Sequence, residues 1–429
     1  MAKRSAVAAI AICALLSFVC GRAVAGEEPD LQQRITKLEA DLKDMKDQVA
    51  KSQGQPAAGK QSAWSKIDVQ LTGYVKLDAA WDSNRVYPGN YALWVASQQG
   101  RGADSEFNMT ANQSRICLSL AGPEAAGAKT GGWIEADFYG AGASEANKPD
   151  LMLRRAFVKL DWPSGFSLLA GQEWDVVSPL IPETLNFLAL AQAGNPGYRR
   201  PQIRATQVIG AKEGTRVKLE TALTRTISDL TPVAGGIDAG RDSGFPTVQG
   251  RVSVSVPRPA TGKDFTVGLS AHYGQEEYDL ATTGVRRKYY DSESVNLDVT
   301  IPVNTWLGVQ GEVFTGENLS TYVAGIGQGV LNAGTADGRS VETKGGWFAA
   351  TIKPAGQWRF NVGSGCEDVD NDDIAAGGRG LNRSVFGNAI WSLSSNLDVG
   401  CELSHWFTDY KQQTDADAVR VQTSMIYKF

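Results

Sequence analysis

The chain has 429 residues, 42% of them hydrophobic, and its 42 Lys and Arg against 47 Asp and Glu give a formal net charge of −5. Because an acidic balance disfavours binding to the phosphate backbone, we exclude nucleic acid as the main partner. The two histidines leave little material for an acid–base constellation. We therefore expect no enzyme, no metal site and no cofactor.

Residues 1–25 have the layout of a secretory signal peptide. Lys3 and Arg4 precede the apolar run 6–19, and residues 23–25 (Ala-Val-Ala) offer a small-x-small cleavage site. The run is too short to span a bilayer as a helix. A lipoprotein signal through Cys20 is the alternative. Either reading predicts an exported mature chain.

Residues 26–51 are expected to form a periplasmic helix. Apolar residues recur at spacings of four and three, the seam of a coiled coil, at Leu31, Ile35, Leu38, Leu42, Met45 and Val49. In a parallel pairing Arg34 would face Glu39, an opposite charge; the alternative is an amphipathic helix lying on its own domain. Because so short a coil is marginal alone, we expect it to join subunits that are also held together elsewhere. Residues 52–66 are then a flexible linker.

From residue 67 to residue 429 apolar and polar residues alternate, which is the pattern of two-faced strands. Sixteen candidate strands lie at 67–82, 111–122, 131–140, 151–161, 165–174, 200–210, 214–227, 245–257, 264–274, 289–301, 305–316, 343–353, 357–368, 381–392, 396–409 and 417–429. Tight turns follow even-numbered strands, as at 162–165, whereas long loops follow odd-numbered ones, as at 175–199. This asymmetry and the even count are typical of a transmembrane β-barrel. A soluble β-sandwich, the alternative, does not explain the one-sided turns.

Aromatic residues gather at the end with the short turns. Trp162, Trp306 and Trp358 each border a tight turn, and Tyr427 and Phe429 end the chain. Tryptophan and tyrosine favour the membrane–water interface. We therefore expect a periplasmic aromatic belt, apolar rows facing outer-membrane lipid and polar rows facing a water-filled lumen.

The segment RRAFVKLDWPSGFSLLAGQEWDVVSPLIPETLNFL (154–188), followed by RRPQIRAT (199–206), resembles the DcaP-like trimeric outer-membrane porins. AGIGQGV (324–330) and ELSHWFTDY (402–410) are also similar to porin segments. The resemblance covers most of 65–429 and implies an all-β, sixteen-stranded homotrimer with one pore per subunit. It further implies a preference for small anions such as dicarboxylates, and a terminal Phe429 that resembles the signal read by the barrel-assembly machinery.

A barrel of this width needs a constriction if it is to be selective. The loop 175–199 is long, punctuated by proline and unusually apolar for a surface loop. We expect it to fold inward as an eyelet; packing at a subunit boundary is the alternative. The residues expected at the constriction are Asp175 and Glu183 of the loop and the wall residues Arg115, Arg155, Lys159, Arg199, Arg200, Arg204, Arg216 and Arg251, with Lys218 on the same face as Arg216.

Acidic residues are more frequent on other strands, for example at Glu312, Asp398 and Glu402. A basic wall that faces an acidic wall or loop would create a transverse field, and arginine rings favour anions. The alternative is that these charges simply pair within the wall. The sequence thus predicts a porin for passive diffusion of small hydrophilic solutes with a bias toward anions. A barrel acting mainly as a surface adhesin or cell-wall tether is the competing hypothesis.

Overall fold

The computed structural model describes residues 66–100, 102–140, 149–230, 238–279 and 287–429, together with residues 40 and 43. The chain divides into two units, 1–62 and 63–429. In the first unit Ala40 and Lys43 are helical and exposed. The predicted signal peptide, the predicted linker up to residue 65 and the six seam positions of the predicted coiled coil lie outside the described residues.

The second unit is a closed antiparallel barrel of sixteen strands. They are β1 (Asp68–Asp82), β2 (Glu106–Thr110 and Arg115–Ala121), β3 (Lys129–Asp137), β4 (Met152–Asp161), β5 (Phe166–Trp174), β6 (Arg199–Gly210), β7 (Arg216–Thr224), β8 (Thr247–Arg258), β9 (Lys263–Asp279), β10 (Arg287–Pro302), β11 (Leu307–Glu317), β12 (Glu342–Ile352), β13 (Trp358–Val369), β14 (Arg379–Ser392), β15 (Leu397–Tyr410) and β16 (Ala416–Lys428). Each strand pairs with the next along the chain. The first and last strands pair from Tyr74 opposite Lys428 to Asp82 opposite Arg420, so closure leaves no free edge. The predicted count of sixteen strands is confirmed.

Among the described residues, no helix has both the length and the apolar character needed to cross a membrane.

The second strand begins earlier than predicted. It starts at Glu106 rather than at 111, and it is interrupted between Thr110 and Arg115. In the interruption Ser114 N donates to Ala111 O (2.9 Å) in a tight turn. The Ser114 hydroxyl also accepts from Lys76 N (3.0 Å), which replaces a ladder bond. Polar turn residues such as these usually mark the end of a strand. Here they form a turn within one strand.

Exposure along the strands is the inverse of that in a soluble protein. On β1, Val75 and Leu77 are 56% and 46% exposed, whereas Lys76 and Asp78 are 2% and 4% exposed. Exposed apolar residues continue around the barrel at Leu219, Leu269, Leu297, Val313, Val362, Leu403 and Met425. Because soluble monomers rarely expose so much contiguous apolar surface, the exterior is suited to lipid and the interior to polar groups.

The aromatic residues lie at the tight-turn end, as expected. Trp306, Trp358 and Tyr427 are about half exposed, and the rings of Trp358 and Trp391 stack with centroids 5.6 Å apart. The terminal Phe429 exchanges two backbone hydrogen bonds with Gly73. The last residue therefore extends the pairing that closes the barrel.

Candidate pore constriction

The segment 175–198, here called the pore loop, leaves β5 and returns to β6 through the barrel interior. Its backbone N–H groups donate to side chains of distant strands: Val176 to Gln249 on β8 (2.8 Å), Leu180 to Glu312 on β11 (2.8 Å) and Leu185 to Glu402 on β15 (2.6 Å). Buried backbone groups need such partners, and the inner wall supplies them. The pore loop therefore folds inward, as expected from its apolar sequence.

The middle of the pore loop reaches β1 and β16, the strands that close the barrel. Leu185 O accepts from Lys76 Nζ on β1 (2.8 Å) and from Gln422 Nε2 on β16 (2.9 Å). Phe187 then stacks on Tyr139, with ring centroids 4.3 Å apart. The first half of the loop thus follows the wall from β8 to β1 and fills that side of the lumen.

The returning half of the pore loop packs against the same wall. Gln192 O accepts from Asn382 Nδ2 on β14 (2.7 Å), and Leu190 packs against Trp347 and Phe386. Leu188, Leu190 and Gln192 have φ of 55°, 56° and 61°, a left-handed region that costs free energy for residues with a side chain. Packing on the wall and the buried hydrogen bonds hold this backbone in one conformation.

A second segment, 318–341 between β11 and β12, rests on the pore loop. Gly197 N donates to Tyr322 O (2.7 Å) and Gln192 N donates to Val323 O (3.0 Å). The Tyr322 ring stacks on His272, with centroids 4.1 Å apart, and it lies 3.8 Å from the Arg200 guanidinium carbon. Burial raises the pKa of the Tyr322 phenol, so the ring is neutral at physiological pH. Sequence reasoning missed this second inward segment, although Val323 and Ile326 are apolar in the same way as the pore loop.

A hairpin in the first loop, Val86–Pro88 paired with Ala92–Val95, also enters the lumen. Ala92 N donates to Asn186 Oδ1 (2.8 Å), and Asn186 Nδ2 donates back to Ala92 O (2.9 Å). Tyr410 OH donates to Val95 O (2.6 Å). Three inward segments therefore cover the wall from β9 to β16.

The space beside the pore loop remains open along β4 to β7. It is a cavity of about 390 Å³. The wall side carries Arg155, Glu173, Arg204, Lys218 and Glu220, and the loop side carries Val177, Pro179, Leu180, Ile181, Leu188 and Ala189. A charged wall therefore faces an apolar loop edge across this cavity.

The cations of the wall are paired with carboxylates rather than bare. Arg155 forms a bidentate pair with Glu173 (Nε–Oε1 2.8 Å and Nη2–Oε2 2.7 Å) and lies 3.4 Å from Glu135. Arg251 forms a bidentate pair with Asp298 (3.0 and 2.7 Å). Such fork-to-fork pairs are among the stronger ionic contacts. The pairing that the sequence left open as an alternative is present.

Glu220 accepts from Arg251 Nη1 (3.2 Å) and lies close to two further cations. Lys218 Nζ lies 3.0 Å from its carboxylate, and Arg204 lies at 3.9 Å. Arg204 Nε also donates to Gln202 Oε1 (2.9 Å), and its Nη2 donates to Trp174 O. Because Trp174 is the last residue of β5, Arg204 also supports the start of the pore loop.

Other predicted residues fasten the pore loop. Arg200 Nε lies 2.8 Å from Asp175 Oδ1, and both side chains are about 1% exposed. Glu183 accepts from Arg359 Nε on β13 (2.7 Å). Arg199 is 3% exposed, and its guanidinium carbon lies 4.6 Å from the centroid of the Trp174 ring and 4.4 Å from that of the Tyr198 ring.

The remaining predicted cations fall into two groups. Arg115 lies near the ion pairs of Arg155, whereas Lys159 and Arg216 lie away from them. Arg115 pairs with Glu135 (3.3 Å) on β3. Lys159 pairs with Asp161 (2.8 Å) and Arg216 pairs with Asp264, and both pairs lie beside tight turns. Alternation identifies the face of a strand that a side chain occupies, but not its height along the barrel. The structure therefore places Lys159 and Arg216 away from the pore loop.

Arg154 is a buried inner-face cation that strict alternation places outside. The β3–β4 ladder shifts register, so that Glu135 pairs with Arg155 and Ala136 pairs with Leu153. Arg154 is the extra residue of a β-bulge, which turns two consecutive side chains inward. It donates to Glu135 Oε1 (2.8 Å) and to Asp137 Oδ2 (2.5 Å). The Arg-Arg pair was the one available signal in the sequence.

The expected acidic wall does not face the open lumen. Glu312 and Glu402 are 2% exposed and accept backbone N–H groups of the pore loop. Glu367 is fully buried and accepts from Gly325 N and Ile326 N of the second inward segment. These carboxylates hold the inward segments in place, so the transverse field is not built as expected from opposed basic and acidic walls.

The geometry defines the class of fold, a sixteen-stranded porin barrel narrowed by an inward loop between its fifth and sixth strands. The chain is similar in fold to the outer membrane channel DcaP of Acinetobacter baumannii, with 18% identity, a TM-score of 0.67 and coverage of 87% of this chain and 100% of that one. The anion-selective porin from Comamonas acidovorans matches at 14% identity and a TM-score of 0.55, covering 85% and 100% of the two chains.

OmpT, an outer membrane protein of Vibrio cholerae solved in a trimer form, matches at 11% identity and a TM-score of 0.52, covering 85% of this chain and 100% of that one. No protein-family model matches the sequence, and no curated protein matches it. At these identities the likeness concerns the fold, and the expected DcaP-like porin fold is confirmed.

Proposed function

We propose that this chain is a bacterial outer-membrane porin that lets small hydrophilic solutes diffuse passively, with a bias toward small anions such as dicarboxylates. The inverted barrel, with an inward loop beside a charged cavity, is the observation that carries the proposal. An apolar exterior suits lipid, and a polar interior suits water and ions. The names of the DcaP channel and of the anion-selective porin agree with this function.

The bias toward anions rests on unequal exposure within the ion pairs. The side chains of Lys218 and Arg155 are 41% and 25% exposed, whereas those of their partners Glu220 and Glu173 are 9% exposed. A solute in the cavity therefore contacts cationic groups before their carboxylate partners. Cations at a narrow point replace part of the hydration that an anion loses.

We extend the proposal to assembly. The porin subunits form a homotrimer, residues 26–51 form a parallel coiled coil in the periplasm, and 52–66 link it to the barrel after residues 1–25 are removed. The opposite-charge pairing of Arg34 with Glu39 supports the parallel arrangement. Phe429 is the proposed signal for the barrel-assembly machinery.

Conductance in planar lipid bilayers tests the channel function. Purified full-length protein should give stepwise, ohmic currents in KCl, and a salt gradient should give a reversal potential on the anion-selective side. Absence of current would favour the adhesin or tether hypothesis. A cation-selective reversal potential would reject the anion bias while leaving the porin intact.

A further inference from the structure

We infer that the cavity beside the pore loop is a binding site for organic monocarboxylates that carry an apolar ring or chain. The inference rests on the proposed porin function and narrows its solute class at this site: dicarboxylates still pass as small anions, whereas ring-bearing monocarboxylates bind more tightly. The site combines a cationic wall with an exposed apolar edge. A solute that has both a carboxylate and an apolar ring or chain can contact the two sides at once.

The apolar edge is formed by Pro179, Leu180 and Ile181 of the pore loop. Ile181 lines the cavity and is 50% exposed, although it lies inside the barrel, whereas the exposed apolar residues of the strands lie on the outer face. An apolar side chain held in water inside a concave site is typical of a surface that contacts a ligand.

The edge is held rigidly by the wall behind it. Ile181 O accepts from Gln310 Nε2 (3.0 Å), and Leu180 N donates to Glu312 Oε1 (2.8 Å). Pro179 has a fixed φ. Because the backbone is bound on the wall side, the loop cannot readily turn Ile181 away from the cavity. A preorganised contact of this kind loses little entropy when a solute binds.

The opposite side supplies the carboxylate-binding groups. Lys218 and Arg155 present their exposed cationic groups to the same cavity. The volume of about 390 Å³ falls within the roughly 300–1,000 Å³ of small-molecule sites. A ring-bearing monocarboxylate can place its charge on this side and its ring against Ile181.

Small inorganic anions and short dicarboxylates match only the cationic side. A short dicarboxylate can place both charges on the cationic side, but it then leaves the apolar edge in water, because no cation lies on the loop side of the cavity among the described residues. Each methylene group removed from water strengthens binding by about fourfold. A monocarboxylate with a cyclohexane ring should therefore bind clearly more tightly than acetate.

The test measures block of KCl current by cyclohexanecarboxylate, acetate and succinate in planar bilayers, with the full-length protein. The wild type should be half-blocked by cyclohexanecarboxylate at a concentration at least about fourfold lower than by acetate or succinate. Ile181→Asn should abolish this difference. Lys218→Gln should weaken block by all three carboxylates.

Tyr87→Asn is the matched control, because Tyr87 is 51% exposed in the hairpin and does not line the cavity. It should keep the wild-type order of block. Ile181→Ala serves as a second variant if Ile181→Asn does not fold, and it should reduce the difference. Equal block by the three carboxylates in a conducting wild type overturns the inference alone. Absence of current in KCl overturns the proposed function and the inference with it.

Discussion

The two halves of the barrel wall use the same kind of inward polar row for different purposes. From β9 to β16, buried side chains such as Glu312, Glu402 and Asn382 bind the backbone of the inward segments. From β4 to β7, Arg155, Lys218 and their partners Glu173 and Glu220 line the open cavity and bind one another. Polar alternation therefore does not by itself indicate which wall lines the passage; the course of the loops decides it.

The largest expected effect is on stability and concerns the charged wall. Arg154→Ala leaves Glu135 and Asp137 without their closest buried partner, and breaking a buried pair costs about 3–5 kcal/mol. We expect the folded barrel to lose its detergent-resistant gel mobility at a clearly lower temperature. Arg216→Ala is the control, because its pair with Asp264 is partly exposed and worth at most about 1 kcal/mol. If both variants lost this mobility at the same temperature, the claim that the buried ion pairs of Arg154 stabilise the barrel would be contradicted.

The next largest effect is on the order of the pore loop and concerns the wall from β9 to β16, which the inward segments cover. Glu402→Ala removes the acceptor of Leu185 N, and an unsatisfied buried donor costs about 1–3 kcal/mol. The pore loop should become susceptible to limited proteolysis, and the open-channel current should become noisier. Glu342→Ala, on an exposed glutamate at the start of β12, is the control. A pore loop as resistant as in the wild type would show that Glu402 does not hold it.

A smaller effect is expected on ion selectivity. Lys218→Gln, Arg155→Ala and Arg204→Ala should each lower the anion-to-cation permeability ratio, by at most about fivefold for a charge roughly 4 Å from the ion path. Glu173→Gln should raise the ratio, because it frees Arg155. Lys159→Gln is the control, since Lys159 lies beside a tight turn. Reversal potentials under a KCl gradient measure all five variants.

In that experiment the double variant Arg155→Ala with Glu173→Gln sharpens the test. It removes both members of one ion pair, so the ratio should return close to the wild-type value. If the double variant keeps the ratio of Arg155→Ala, selectivity depends on the shape of the guanidinium rather than on the net charge of the cavity.

The smallest effect, which is on the thermal stability of the trimer, is expected from deleting residues 30–50. Because a coil of this length is marginal alone, the barrels should remain trimeric at high protein concentration and dissociate at a lower temperature than the full chain. Native mass measurement of both forms tests this. Monomers in both forms would reject the trimer.

Much of the barrel could be read from the sequence because strand alternation and turn lengths are local. The inward row of β1, with Lys76 and Asp78, follows directly from this pattern. The bulge at Arg154 could not be predicted, because it depends on the register of a neighbouring strand. The role of Glu312 could not be predicted either, since its partner, the backbone of Leu180, is 132 residues away along the chain.

The candidate site was predicted in outline and corrected in detail. The apolar composition of 175–199 indicated an inward loop, and the structure shows its contacts with the wall. The second inward segment, around Tyr322, was missed, although Val323 and Ile326 of that segment are apolar. The heights of Lys159 and Arg216 along the barrel could not be predicted either, because alternation shows only which face of a strand a side chain occupies.

The most direct test of the difference between the two walls is chemical modification during current recording. Lys218→Cys places a thiol in the open cavity, and Ser384→Cys places one on β14, where Ser384 is 3% exposed. A membrane-impermeant, anionic thiol reagent should rapidly lower the current and the anion preference of Lys218→Cys, and should leave Ser384→Cys and the wild type unchanged. Rapid modification at Ser384, or no effect at Lys218, would contradict the account.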